Sequence, residues 1–204
     1  MDTQLTALLI NCTLKPSPAE SSTEVLGEQI LAALAEHDVA GDRIRAVDHR
    51  IHPGVKADMG DGDEWPTLRA KVLAADIVVF ATPTWLGQHS SVAQRVLERL
   101  DAELGETDAQ GRPILFDKVA IAAVVGNEDG AHHIAAVLFQ ALDDVGFTVP
   151  AQGSVYWNGE AMQTTDYKDL PETPEKVTQA TATAAANAAH LARLLRDRGY
   201  PTGE

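Results

Sequence analysis

The stretch from Ala75 to Asp101 constrains the fold of this chain more than any other. It opens with the unbroken apolar run Ile77–Phe80, which is typical of a strand covered on both faces. It closes with apolar residues three and four positions apart, which predict an amphipathic helix: Val92, Val96, Leu97 and Leu100. A buried strand, a loop and a helix therefore follow one another within 27 residues.

The loop inside this stretch, residues 81–89, contains Pro83, Trp85 and Gly87. Ligands of open α/β sheets bind outside the carboxyl ends of the strands, so a loop in this position is a candidate binding loop. The alternative is ordinary turn chemistry, with Pro83 and Gly87 reversing the chain and Trp85 packing in the core.

The same strand and helix patterns recur along the chain. The predicted strands are Leu5–Ile10, Arg43–Val47, Ile77–Phe80, Lys118–Val125 and a last strand region from Phe147 to Trp157. The predicted helices contain Leu26 to Leu34, Trp65 to Ala75, Val92 to Leu100, Ile134 to Val145 and Pro174 to Arg198. This alternation predicts one three-layer α/β domain over residues 1–204, with five parallel strands between helices on both faces. We expect strand order 2-1-3-4-5, in which the loops after strands one, three and four meet at one crevice.

The loop after the first strand is rich in hydroxyl groups and precedes a helix. The polar residues that we single out there are Thr13, Lys15, Ser21, Ser22 and Thr23. A helix N-terminus with free backbone N–H groups and a favourable dipole binds anions. Neither GxGxxG nor GxxxxGK[ST] occurs, so the usual dinucleotide and triphosphate loops are excluded. Simple capping of the helix by these hydroxyls is the alternative.

The charge balance limits the partners of the chain. It carries 30 Asp and Glu against 16 Lys and Arg, for a net charge of −14, so nucleic acid and anionic membranes are poor partners. The N-terminus is not a basic leader, and no apolar run approaches the roughly 18 residues of a membrane span. One cysteine, Cys12, excludes an internal disulfide and fits a reducing compartment. We expect a cytoplasmic protein that does not insert into membranes.

Two groups of residues superficially suggest a metal. In the loop 48–64, Asp58, Asp61, Asp63 and Glu64 do not match the spacing of an EF-hand, and we favour an acidic, solvated loop. Asp129, His132 and His133 have no matching ligand set nearby. In addition, adjacent histidines on a helix diverge by roughly 100°. We therefore predict no metal, and we interpret Cys12 as a small residue that closes a buried strand rather than as a nucleophile.

Taken together, three loops resemble those of the flavodoxin-like NAD(P)H-dependent FMN reductase and quinone reductase superfamily, over nearly the whole chain. Pro83-Thr84-Trp85-Leu86-Gly87 matches the Pro-x-Tyr/Trp-x-Gly pattern of that family, and Gly126–His133 resembles its glycine-bearing fourth loop. Thr13-Leu14-Lys15 and Ser21-Ser22-Thr23 occupy the places of its phosphate loop. The first loop departs from the pattern in its length, its two prolines and the lysine that replaces the commoner arginine.

This resemblance implies a set of cofactor contacts. The FMN phosphate is expected at Thr13, Lys15, Ser21, Ser22 and Thr23. The isoalloxazine is expected along Pro83, Thr84, Trp85, Leu86 and Gly87, with Gly126, Asn127, Asp129 and Gly130 on its other side. His132 is a candidate for the substrate side.

The resemblance also implies an activity. Hydride passes from NAD(P)H to FMN, and a quinone, a flavin or a similar small acceptor then takes the electrons, so no side chain is expected to be catalytic in its own right. A homodimer or homotetramer is expected, in which Tyr156 and Trp157 either cover the site of a neighbouring subunit or pack the last strand. A one-electron carrier of flavodoxin type and a flavin-free regulatory α/β domain are the alternatives.

Overall fold

The computed structural model describes residues 4–159 and 161–201. Five strands are parallel: β1 Leu5–Asn11, β2 Val39–Arg45, β3 Ile77–Trp85, β5 Val119–Val125 and β6 Ser154–Trp157. The two-residue strand β4, Gln88–His89, pairs antiparallel with the end of β3. The strand order is β2-β1-β3-β5-β6, which confirms the predicted order of the five parallel strands.

Five helices cover the two faces of the sheet. They are α1 Ser22–Ala35, α2 Trp65–Ala74, α3 Ser91–Leu100, α4 Ala131–Asp144 and α5 Glu175–Asp197. Along β3, Ile77, Val79 and Ala81 pack towards α1 and α5, whereas Val78 and Phe80 pack towards α2, α3 and α4. Both faces of the central strands are buried, which explains their unbroken apolar runs. None of the helices in the described ranges is both long and apolar enough to cross a membrane.

The second strand begins earlier than predicted. The prediction placed it at Arg43–Val47, but β2 runs from Val39 to Arg45, and Val47 lies in a 3₁₀ turn, Ala46–Asp48. β2 is an edge strand whose residues 40–43 are exposed. An edge strand with exposed residues does not need an apolar run, so its first half gave no signal.

The strand β3 also extends further than predicted, because residues 81–85 continue it instead of forming a loop. Thr84 and Trp85 pair with His89 and Gln88 in a tight hairpin. Pro83 is tolerated in this strand because of where β1 ends. The amide of Cys12 donates to the carbonyl of Ala81 at 2.8 Å. Two residues later the nitrogen of Pro83 faces the same side, where the carbonyl of Cys12 accepts from the Ser90 hydroxyl at 2.6 Å instead.

The last strand is shorter than predicted. Only Ser154–Trp157 pairs along β5, and Thr148 forms an isolated bridge with Val119. Between them the chain turns, with the Gly153 amide donating to the Pro150 carbonyl at 2.9 Å. Pro150 lacks an N–H and interrupts the ladder.

The acidic loop after β2 is anchored by a buried ion pair. The side chains of Asp63 and Arg99 are fully buried and their charged atoms lie 2.8 Å apart. Arg99 also donates to the carbonyls of Lys56, at 2.7 Å, and His52, at 3.0 Å. Burial raises the pKa of Asp63, but hydrogen bonds from the Met59 amide and Arg99 outweigh it and hold the pKa at about 2. The expectation of a solvated loop is therefore wrong for Asp63.

Candidate functional site

A cleft lies at the carboxyl ends of β1, β3 and β5, where the strand order predicts a crevice. It is lined by Thr13, Leu14, Lys15, Ser21, Ser22, Thr23, Pro83, Thr84, Trp85, Val125, Gly126, Asn127 and Asp166. Ten of the predicted site residues thus meet in one place. The cleft encloses about 100 Å³, less than the roughly 300–1,000 Å³ of pockets that bury a whole ligand. A cleft of this size can enclose only part of a cofactor-sized molecule.

The first loop brings its hydroxyl groups to the N-terminus of α1. Thr13, Ser21 and Thr23 are buried. The hydroxyl of Ser21 caps α1 by accepting from the Glu24 amide at 3.3 Å, and that of Ser22 accepts from the Lys168 amide at 3.3 Å. Ser21 therefore has the predicted capping role, while the N-terminus of α1 opens on the cleft. This is the geometry in which the helix dipole and backbone N–H groups attract an anion.

The end of β3 supplies a polar wall and an aromatic rim. Thr84 is 4% exposed, and its hydroxyl has no hydrogen-bond partner within the described part of the chain. A buried hydroxyl without a partner is costly unless a ligand satisfies it. Beside it, a Cβ at Gly126 would lie 2.9 Å from the Cβ of Thr84, so glycine keeps this wall open. Trp85 is 50% exposed and forms the rim.

The tip of the hairpin between β3 and β4, Leu86 and Gly87, packs against the loop before α4 and does not line the cleft. A Cβ at Gly130 would lie only 2.7 Å from the Cα of Gly87, and Gly130 has a φ of +131°. Glycine at position 130 therefore lets the hairpin approach the loop before α4 closely. Leu86, at the tip, is 92% exposed. The predicted residues Leu86, Gly87, Asp129 and Gly130 are thus adjacent to the cleft but not part of its lining.

His132 lies outside the cleft lining as well. Its Nε2 lies 2.8 Å from the hydroxyl of Tyr156, and the two rings meet edge to face at 4.9 Å. Trp157 packs against Tyr167 with ring centroids 5.4 Å apart. Both aromatic residues of β6 therefore have partners within their own chain.

Sequence reasoning missed one residue that lines the cleft and one that lies behind it. Asp166 lines the cleft and accepts a long hydrogen bond of 3.4 Å from the side-chain amide of Asn127. It lies in the irregular segment after β6, where no periodicity marks it. Arg45, at the end of β2, lies behind the first loop and holds it through carbonyl contacts.

The remaining candidates are accounted for by packing. Cys12 is buried and burial raises the pKa of its thiol, which keeps the sulfur protonated and unreactive at neutral pH. Over residues 4–159 and 161–201, no three His, Cys, Asp or Glu side chains converge as metal ligands would.

Comparisons with known proteins show which sequences and structures this chain resembles. A sequence profile of NADPH-dependent FMN reductases matches residues 6–161. The chain is 41% identical over 169 residues to the divalent metal cation transporter MntH of Mycobacterium bovis, covering 81% of this chain and 25% of that protein. It is 35% identical over 167 residues to 8-demethyl-8-aminoriboflavin-5'-phosphate synthase of Streptomyces davaonensis, covering 77% of this chain and 65% of that enzyme. The chain thus spans a quarter of the first relative and just under two thirds of the second, and neither whole protein's activity follows for it.

A solved structure is similar over almost the whole fold. RosB with bound 8-demethyl-8-formylriboflavin-5'-phosphate superposes with a TM-score of 0.87 at 32% identity, covering 96% of this chain and 82% of RosB. The bound molecule of RosB is itself a flavin phosphate.

Proposed function

Because the chain belongs to the NADPH-dependent FMN reductase family, we propose that it passes two electrons from NAD(P)H through FMN to a quinone, a flavin or a similar small acceptor. Membership itself makes the chain a flavin-dependent oxidoreductase, with FMN as cofactor and NAD(P)H as electron donor, as predicted. Membership in this family therefore argues against the flavin-free regulatory domain. The acceptor and the oligomeric state are proposals.

The observation that carries the proposal is the cleft between the first loop and the end of β3. Its buried hydroxyls at the N-terminus of α1 suit a phosphate. The hydroxyl of Thr84, which has no hydrogen-bond partner among residues 4–159 and 161–201, suits a polar atom of the flavin. One anion loop without GxGxxG favours a single phosphate, hence FMN over FAD. The residues present therefore fit FMN.

Each part of the cleft has a separate task. Bound FMN supplies the hydride chemistry, while the chain binds and orients it. Thr13, Ser21 and Thr23 would hold the phosphate, and Trp85 would contact the ring. No aromatic residue occurs from Gly126 to His133, so this side leaves a ring face open for a nicotinamide or an acceptor to stack within roughly 3–3.5 Å.

The shape of the cleft supports the expected homodimer or homotetramer. The cleft holds only part of a flavin, and exposed apolar side chains occur on segments around it: Leu14, Trp85, Leu86 and Met162. Clustered exposed apolar groups are typical of interaction surfaces. A second copy covering this rim would enclose the ring.

Replacement of one hydroxyl tests the phosphate site. Thr23→Ala is expected to lower the affinity for FMN by about ten- to a hundredfold, which corresponds to the loss of one hydrogen bond to a charged group. The affinity for riboflavin should remain nearly unchanged. Isothermal titration with both flavins measures this. Thr178→Ala is the matched control, since Thr178 is an exposed threonine near the start of α5 and should affect neither flavin. Equal losses for both flavins after Thr23→Ala would show that the loop only caps α1.

Anaerobic mixing separates the reductase from the electron carrier. NADPH or NADH should bleach the visible absorbance of the bound flavin directly, and addition of a quinone should restore it. A holoprotein that neither nucleotide bleaches would favour the one-electron carrier.

The similarity to RosB favours a second candidate, in which a flavin phosphate is the substrate rather than a resident cofactor. The flavin phosphate in RosB is modified at position 8. Mass spectrometry of the flavin recovered after turnover decides between the two. An unchanged FMN supports the reductase, whereas a mass change at the 8-methyl group supports flavin modification.

A further inference from the structure

Arg45 lies directly behind the first loop and is almost completely buried. It is 8% exposed, and its guanidinium donates to the carbonyls of Ala19, at 2.8 Å, and Lys15, at 3.3 Å. Its other terminal nitrogen pairs with the carboxylate of Glu24 in the first turn of α1. One side chain from the edge strand thus holds the loop at two points and the helix at a third.

These contacts determine which backbone atoms face the cleft. A carbonyl that accepts from Arg45 cannot turn its oxygen towards a phosphate. A carbonyl oxygen that did so would repel the phosphate, because both are negative. Since the C=O and the following N–H of a trans peptide point in opposite directions, the contact at Ala19 also turns the amide of Glu20 away from Arg45. The loop is therefore held with acceptors behind it.

The contact with Glu24 has an electrostatic consequence. Glu24 lies in the first turn of α1, close to the hydroxyls that line the cleft. An unpaired carboxylate there would repel an anion at the same helix end. The buried guanidinium neutralises it in a region where charges are only weakly screened.

Asp48 gives the loop a second anchor from the same end of β2. It accepts the backbone amide of Ser17 at 2.8 Å and its hydroxyl at 2.5 Å. Ser17 lies between the two carbonyls held by Arg45. The loop between Thr13 and Ser21 is therefore fixed along its length by two residues that do not line the cleft.

We propose that Arg45, assisted by Asp48, is a positioning residue that sets the first loop and the charge of α1 for the flavin phosphate. This inference rests on the proposed function, since it concerns how the same cleft selects FMN over riboflavin. Arg45 does not line the cleft and would act through the loop and through Glu24.

The test measures affinities for FMN and riboflavin in variants that remain folded. Arg45→Met should lower the affinity for FMN by about ten- to a hundredfold, which is comparable to the loss of a hydrogen bond to a charged group. It should lower the affinity for riboflavin by less than about threefold. Arg45→Met combined with Glu24→Gln should recover part of the FMN affinity, because the unpaired carboxylate is gone. Arg43→Met is the control: this arginine lies two residues earlier on β2, pairs with Glu28 at the surface and should leave both affinities unchanged.

Asp48→Asn serves if Arg45→Met does not fold, since Asp48 is exposed. It should weaken FMN selectively by about three- to tenfold through one weakened anchor. Equal weakening of both flavins, or none, in the folded variants would overturn the positioning role. Wild-type protein that binds FMN no better than riboflavin would instead overturn the phosphate site of the proposed function, and the positioning role with it.

Discussion

The two connections that follow β1 and β2 at the same edge of the sheet differ in what their polar groups contact. In the loop 49–64, Asp63 accepts from Arg99 and from the amides of His52, Met59 and Trp65. In the loop 13–21, Arg45 and Asp48 hold the back, and the front, with Thr13 and Ser21, opens on the cleft. Both loops depend on a buried arginine.

This difference separates a structural loop from a binding loop. The acidic loop 49–64 has the composition of a metal-binding loop, but the carboxylate of Asp63 is fully occupied by contacts within the protein. The hydroxyl loop looks like ordinary helix capping, but the protein holds it so that one side remains available. Charge density is therefore a weaker indicator of a site than polar groups facing a cleft.

The largest expected effect comes from removing the arginine of the structural loop. Arg99→Met should lower the free energy of unfolding by about 3–5 kcal/mol, because it leaves Asp63 buried without its partner. Urea denaturation measures this. Arg95→Met, on the same helix, removes a single bond to the Ile51 carbonyl and should lower it by about 1 kcal/mol. If Arg99→Met were as stable as wild type, the pair of Arg99 and Asp63 would not stabilise the loop 49–64, and that loop could not be called structural.

A smaller loss is expected where the hairpin meets the loop before α4. Gly130→Ala places a Cβ against the backbone of Gly87 at a φ of +131°, which should cost about 1–3 kcal/mol of strain, with the clash in addition. It should also shift the flavin spectrum by moving Trp85. Gly111→Ala, at a φ of +78° with no atom within 4 Å, is the control and should leave the spectrum unchanged. An unaltered flavin spectrum in Gly130→Ala would show that the position of the hairpin does not affect the flavin site.

The pH dependence of stability sharpens the comparison from the structural side. The pKa of Asp63 is about 2, against 3.8 for an ordinary aspartate. The carboxylate thus stabilises the folded state fully above about pH 5, and roughly 2 kcal/mol is lost as the pH falls towards 2. Unfolding of wild type and Asp63→Asn from pH 6 to pH 2 measures this loss. Parallel stability curves would mean that Asp63 has an ordinary pKa.

The smallest stability change is expected at the rim. Trp85→Ala should cost only about 1 kcal/mol, because half of the side chain is already exposed. It should nevertheless change the flavin spectrum and the turnover with NADPH, since the ring loses its neighbour. A large fall in melting temperature with an unchanged holoprotein spectrum would assign Trp85 to the core.

The central strands and the order of the sheet were predictable because they are buried on both faces. A strand such as β5, all of whose residues are buried, must be a continuous apolar run. The grouping of Thr13, Ser21 and Thr23 after β1 was also visible, since it depends only on neighbours in sequence.

The rest depends on contacts between distant residues. The start of β2 was missed because an edge strand does not need apolar residues at 40–43. Arg45 lies 26 residues from the carbonyl of Ala19 that it binds, and no local pattern marks such a pair. Likewise Asp63 resembled its acidic neighbours, and only the packing of Arg99 distinguishes it.

The two segments that we propose contact the flavin are anchored separately, the first loop from β2 and the hairpin from the loop before α4. Variation at the hairpin tip, where Leu86 is almost fully exposed, is therefore expected to leave the proposed phosphate contacts unchanged. We therefore expect the tip to tolerate changes of acceptor preference that leave the proposed cofactor site intact. A library of variants restricted to positions 86 and 88 would test this in folded, flavin-loaded protein.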